Sequence, residues 1–149
     1  MSRFTIGLGL VAMIAAANGA AAQEAIRLTD GQLLKTVSTN EAALDLHQLA
    51  SAVEIRGIAK KIYRTETGDY VLQFLPDNHS DNFYRLEINF EFPRQDREQL
   101  GVLNLPAELT IRGTVKQSQW QPRYDNHRNY QLVIRDSQIL ATQPIWDLR

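Results

Sequence analysis

Two phrases that echo each other limit what this chain can fold into. Residues 53–63 read Val-Glu-Ile-Arg-Gly-Ile-Ala-Lys-Lys-Ile-Tyr, and residues 111–116 read Ile-Arg-Gly-Thr-Val-Lys. The first begins as a strict alternation, with Val53 and Ile55 on one side and Glu54 and Arg56 on the other. That is the period of a strand with one buried face. Gly57 and Gly113 then interrupt the two runs at matching places. A glycine inside a strand weakens it by roughly 0.5–1 kcal/mol relative to alanine. It is tolerated where a sheet must bulge or bend. Two long strands, each bent at a central glycine, predict a small closed barrel.

Three more strands can be placed by the same rule. Residues 70–75 put Tyr70, Leu72 and Phe74 on one face. Residues 84–92 carry the cleanest alternation, with Tyr84, Leu86, Ile88, Phe90 and Phe92 inward and Arg85, Glu87, Asn89 and Glu91 outward. The Gly113 strand runs from 109 to about 117, with Leu109, Ile111 and Val115 inward. A last strand over 130–140 turns Tyr130, Leu132 and Ile134 inward. Pro93 ends the third strand, and residues 94–103 predict a short helix stopped by Asn104-Leu105-Pro106. Between the last two strands, residues 118–129 read as a long polar and aromatic loop.

Residues 1–22 have the make-up of a secretory leader. Arg3 supplies the charged start, residues 4–16 are apolar apart from Thr5, and Ala20-Ala21-Ala22 gives a small-residue cleavage pattern. The apolar run is short for a membrane span, which needs about 20 residues, so no membrane segment is expected after cleavage. Removing residues 1–22 of 149 leaves 127, enough for one domain with a real core. The chain has no cysteine, which excludes a lipid-bearing cysteine, a thiolate nucleophile and disulfides. Its formal net charge of −1 gives no global pull towards nucleic acid or anionic membranes.

Residues 23–39 are weakly patterned, with Asp30-Gly31 as a turn signal and Leu33-Leu34 as the apolar pair, and predict a lead-in with at most a helical turn. Asn40 is a good N-cap, Glu41 suits the helix dipole, and Ala43, Leu44, His47 and Ala50 recur at helical spacing. A short amphipathic helix is expected over 40–49, with His47 packed beside its apolar stripe. The resulting division is a leader (1–22), a lead-in and helix (23–52), a barrel (53–140) and a tail (141–149), in which Ile145 and Trp146 dock on the barrel.

Helix, three strands, short helix and two strands is the layout of the five-stranded OB-fold, an all-β Greek-key barrel with a helix between strands three and four. Asn40-Glu41-Ala42-Ala43-Leu44-Asp45, Val53-Glu54-Ile55-Arg56-Gly57 and Leu109-Thr110-Ile111-Arg112-Gly113-Thr114-Val115 carry a closer likeness. Over roughly residues 40–140 the chain resembles the tRNA_anti-like family of small bacterial OB-fold proteins, many of them exported. It is similar, less closely, to the periplasmic bacterial OB-fold (BOF) family. These resemblances imply a bacterial envelope setting and bring no catalytic residue.

Barrels of this kind that bind oligonucleotides use the outer face of strands two and three, framed by the one-two and four-five loops. Here that face would carry Gln73, Arg85, Glu87, Asn89 and Glu91, beside Glu54 and Arg56. Two carboxylates in its middle would repel a phosphate backbone, and the aromatics lie on the core side. The loop after strand four offers Trp120, Arg123, Tyr124, His127 and Arg128, flat rings interleaved with cationic donors able to stack on a ring or hold an anion. The candidate ligand-binding residues are therefore Trp120, Arg123, Tyr124, His127, Arg128, Arg56, Gln73 and Arg85. Asp77-Asn78-His79-Ser80-Asp81 and Asp125-Asn126-His127 are metal-capable but read as turns, and no second histidine completes a metal site. No nucleophile elbow, phosphate-cradling loop or His/Glu metal motif occurs. The expectation is a non-enzymatic exported binding module without cofactor, taking a small ligand, a peptide or an envelope protein. The alternative is an oligonucleotide-binding domain.

Overall fold

The structure, a computed structural model, describes residues 25–39, 50–76, 83–122 and 127–145. Five long strands close a barrel: β2 (Ala52–Arg64), β3 (Tyr70–Phe74), β4 (Tyr84–Phe92), β5 (Ala107–Trp120) and β6 (Arg128–Pro144). A short strand, β1 (Ile26–Thr29), and two helices, α1 (Asp30–Thr39) and α2 (Arg97–Gly101), are added to it. Strand β2 pairs antiparallel with both β3 and β5, β3 with β4, and β5 with β6. The ring is closed by parallel pairing of β4 with β6, from Tyr84↔Arg128 to Phe90↔Ile134. A parallel pair needs a crossover, and here α2 and β5 supply it. This is the OB-like barrel that the strand order predicts.

The inward faces are those the alternation gives. Phe74, Phe90, Phe92, Ile55, Leu72, Leu86, Ile88, Leu109, Ile111 and Leu132 are all fully buried. Phe74 and Phe90 meet edge to face, with ring centroids 4.7 Å apart, the arrangement aromatic quadrupoles favour. The predicted helix over 94–103 is a 3-10 turn at Arg94–Asp96 followed by α2, whose Leu100 is buried against the barrel.

Three sequence expectations need correction. The lead-in is ordered: β1 pairs in parallel with β2, Ile26↔Val53 to Thr29↔Arg56, and α1 follows at once. Thr29 and Gln32 form a reciprocal capping box. The Gln32 amide donates to Thr29 Oγ1 (3.1 Å) and the Thr29 amide to Gln32 Oε1 (2.8 Å), satisfying two donors at the helix start. With Val37 one turn on, Leu33 and Leu34 form a stripe that enters the core. The last two strands are also longer than predicted. Strand β5 runs to Trp120 and β6 starts at Arg128, because Trp120 pairs with Tyr130 and the Gln121 amide donates to Asn129 O. At the other end, residues 141–144 continue β6 as partners of residues 107–110 rather than starting a tail. The leader (1–22), the helix expected over 40–49 with His47, the Asp77–Asp81 cluster and Trp146 lie outside the described residues.

The third correction concerns Gly57. Its strand pairs without interruption from Ala52↔Thr114 to Ala59↔Ala107, and the register shift in β2 falls between Ala59 and Lys61. No bulge or register shift occurs at the glycine. Instead the Asp30 side chain, at the start of α1, lies where a Cβ would be, with Cγ and Oδ2 each 2.5 Å from that position. Asp30 Oδ2 accepts a hydrogen bond from the Ile58 amide (3.2 Å), so the bare glycine admits a link between helix and barrel. Gly113 does sit at an irregularity, opposite two β6 residues, since Arg112 pairs with Gln138 and Thr114 with Arg135. Asp136, one of the two, has a positive φ of 54°, as the first residue of such a bulge often does.

Burial raises the Asp30 carboxyl above its ordinary 3.8, against the opposing pull of the Ile58 and Gly31 amides and Lys60. The folded chain therefore holds this proton more tightly than the unfolded chain does. Its contribution to stability is greatest below the unfolded value and falls as pH rises through the folded one. Asp30→Asn keeps an acceptor for Ile58 but cannot ionise. Its stability relative to the parent is expected to improve steadily from pH 3 to pH 7 in urea titrations. A constant difference across that range would contradict the assignment.

Candidate functional site

The outer face of β3, β4 and β6 can be read off the registers. Val71 pairs with Glu91, Gln73 with Asn89, and Lys61 of β2 with Gln73. Across the parallel seam, Arg85 pairs with Asn129, Glu87 with Gln131 and Asn89 with Val133. Strand β5 adds Gln117 beside Val133 and Gln119 beside Gln131. Phe74, Phe90, Leu132 and Ile134 occupy the opposite, core face, so these polar side chains form one continuous outward platform.

Its centre is Glu87. Glu87 Oε2 accepts hydrogen bonds from Asn89 Nδ2 (2.8 Å), Gln73 Nε2 (3.2 Å) and Gln131 Nε2 (3.3 Å), and Oε1 accepts one from Asn129 Nδ2 (3.2 Å). Gln73 Nε2 also donates to Asn89 Oδ1 (2.8 Å). The network extends outward through Gln131 Oε1, which accepts from Gln121 Nε2 (2.9 Å) and Gln117 Nε2 (3.3 Å). Carboxamides from β3, β4 and β6 thus converge on one carboxylate, and β5 backs them. Gln73 and Asn89 are 6% and 5% exposed. Charge-assisted bonds of this kind are stronger than neutral ones and hold the donors in fixed directions.

Glu91, four residues along β4, is bound by Lys116 Nζ at 3.1 and 3.2 Å. Tyr63 is 42% exposed beside the same platform, paired with Val71. Partial burial, and then the fields of Glu87 and Glu91, raise its hydroxyl above the usual tyrosine value, so it stays neutral. The platform is therefore carboxylate and carboxamide at its centre, with the cations Lys61 and Arg85 exposed beyond it.

The sequence candidates are only partly brought together. Gln73 and Arg85 belong to the platform. Arg56 does not: it lies in the Thr29–Arg56–Thr110 rung of β1, β2 and β5, 3.7 Å from Glu108. In that region Glu54 is held by Arg112 (3.2 Å) and Arg27 (3.4 Å). Trp120 and Arg128 sit together at the end of the β5–β6 hairpin, the guanidinium 4.5 Å from the indole centroid. The indole packs edge to face on Tyr130, 5.1 Å away, lies 6.0 Å from Tyr84, and rests against the core cluster. Tyr130 in turn shares a short hydrogen bond with Ser118. His127 immediately precedes β6, and Arg123 and Tyr124 lie outside the described residues. Sequence reasoning missed Asn129, Gln131, Gln117, Gln121 and Tyr63. Gln121 and Asn129 were hidden by reading residues 118–129 as a loop, while Gln117 and Gln131 lay at the ends of predicted strands and Tyr63 at the end of the first.

Among the described residues no three His, Cys, Asp or Glu side chains come together as a metal site. No helix among them is long and apolar enough to cross a membrane.

No family model and no curated protein matches the chain. It is similar to a solved structure from Klebsiella pneumoniae subsp. pneumoniae, a lipoprotein whose name proposes nucleic-acid binding. The two share 18% identity at a TM-score of 0.49, over 78% of this chain and 92% of the other. Similarity at that level leaves the ligand of this chain open.

Proposed function

We propose that this protein is a non-enzymatic, exported binding module of the bacterial cell envelope that engages its ligand or partner on the outer face of β3 and β4. One observation carries the reading: Glu87, with Glu91 nearby, stands in the middle of the face that an OB-like barrel offers to ligands. A phosphate backbone laid across it would meet the Glu87 carboxylate, whose hydrogen-bond partners are all neutral amides. The leader-like residues 1–22 support an exported protein.

Titration with fluorescent single-stranded DNA and RNA at rising salt tests this reading. Binding to phosphates releases counterions, so true nucleic-acid affinity falls steeply with salt. No salt-dependent binding is expected at micromolar protein. Micromolar or tighter affinity that falls with salt would overturn the proposal in favour of an oligonucleotide-binding domain.

A further inference from the structure

We infer that residues 137–144 of β6 pair edge to edge with the same residues of a second copy of this chain, forming an antiparallel dimer. This surface is separate from the Glu87 platform, which β6 joins through Asn129, Gln131 and Val133.

Strand β6 belongs to the closed ring for only part of its length. Its pairing with β4 ends at Phe90↔Ile134, while its pairing with β5 continues to Ala107↔Pro144. Beyond Ile134, one side of the strand therefore has no strand partner among the described residues. No loop or turn supplies backbone hydrogen bonds there in its place. An edge of this kind presents a row of unpaired N–H and C=O groups, ready to accept another strand.

The core stops short of this edge. Thr142 pairs with Leu109, and residues paired in this way share one face of a sheet. Leu109 is fully buried, yet Thr142 is exposed. Leu140 is the extra residue where Thr110 pairs with Ala141 and Ile111 with Ile139, and it is 45% exposed. A core-side threonine and a leucine thus stand uncovered at the open edge.

Charge decides what can cover them. Exposed edges are ordinarily guarded by charged side chains, lysine above all. Strand β5, partnered on both sides from Ala107 to Thr114, carries Glu108 and Arg112. The open stretch 137–144 reads Ser-Gln-Ile-Leu-Ala-Thr-Gln-Pro and carries no charge. The outer edge of β1 is different, being four residues long with Arg27 among them. In an antiparallel pair about a two-fold axis, each residue of the open stretch faces another of the same stretch. Every cross-strand pair is then neutral, and both copies gain main-chain hydrogen bonds. Leu140 lies beside the centre of the stretch, so an axis there brings the two Leu140 side chains together. The pair uses up this edge in each copy, and assembly closes at two.

Sedimentation of the full chain across a micromolar concentration series tests the inference. A reversible dimer is expected, dissociating in the micromolar range because one strand pair is a small interface. Leu140→Lys and Thr142→Lys set like charges across the axis. Each is expected to keep the parent circular dichroism spectrum and to weaken the dimer by about tenfold or more. Ile26→Lys, on the β1 edge, is expected to leave the dimer as it is. The chain has no cysteine, so Leu140→Cys gives a second readout. Mild oxidation is expected to link two copies through it, and to leave Ile26→Cys unlinked. A monomer at the highest concentration, a dimer unchanged by both Leu140→Lys and Thr142→Lys, or one lost with Ile26→Lys overturns the inference. If the lysine variants at 140 and 142 do not fold, the cross-link decides alone, and an unlinked Leu140→Cys protein overturns it.

Discussion

Gly113→Ala is expected to lower the stability of the barrel by about 1–3 kcal/mol, the usual cost of forcing extra atoms into a well-packed interior. Gly113→Val, with two further carbons, is expected not to fold. A Cβ at this position would collide with Ile134 Cγ2 and stand 2.8 Å from the Arg135 carbonyl oxygen. Neither obstacle can move cheaply. Ile134 is fully buried and pairs with Phe90 across the seam that closes the barrel. The Arg135 carbonyl is main chain at the edge of the β6 bulge. Gly101 provides the control, since nothing lies within 4 Å of a Cβ built there, near the end of α2. Gly101→Ala should be neutral or gain up to about 1 kcal/mol from helix propensity. The check is the urea midpoint of each variant followed by circular dichroism. A Gly113→Ala protein as stable as the parent would show that the strand crossing is looser than its geometry states.

How far the sequence could be read depended on whether one side of a strand faced the core. Residues 84–92 alternate without a break, and all five inward side chains predicted there face the core. The Arg94–Gly101 helical segment was legible from Pro93 and the Leu100 spacing. Residues 26–39 were not, because four residues of edge strand carry too little alternation to register. There the signal was local: Thr29-Asp30-Gly31-Gln32 is a capping box, but Asp30-Gly31 read alone gives a turn. The hairpin end failed for a related reason. Over residues 117–121 and 128–131 the outward side chains are glutamines and asparagines, and the inward ones include serine and aromatics. Hydropathy therefore gives little contrast although the period of two is intact. The same blind spot concealed most of the platform. Its outward carboxylates and Gln73 could be placed from strands β3 and β4. Its Asn129 and Gln131 could be placed only once the parallel β4–β6 register was known, since they are 42 and 44 residues from Glu87.

Gly57 offers the sharper test, because two physical explanations of the same residue predict different double mutants. If the glycine were needed for its backbone conformation, any side chain would be costly whatever surrounds it. The structure gives the other explanation: the strand is regular at Gly57, and the space above it is filled by Asp30. The Asp30 Cβ, Cγ and Oδ2 atoms lie 2.8, 2.5 and 2.5 Å from where a Cβ on residue 57 would stand. Gly57→Ala is therefore expected to cost about 1–3 kcal/mol by displacing Asp30 and breaking its bond to the Ile58 amide. Asp30→Gly alone should cost about 1–2 kcal/mol, from the lost hydrogen bond and the weakened helix start. Together they should cost clearly less than the sum, with a coupling of about 1 kcal/mol or more, because the space that the new methyl group needs has been vacated. The measurement is a double-mutant cycle in urea, and strict additivity would return the residue to a backbone role. Coupling would mean that α1 is held to the barrel by a carboxylate fitted into the one gap on β2 that lacks a side chain. It would also explain why a helix with only Leu33, Leu34 and Val37 buried keeps its place.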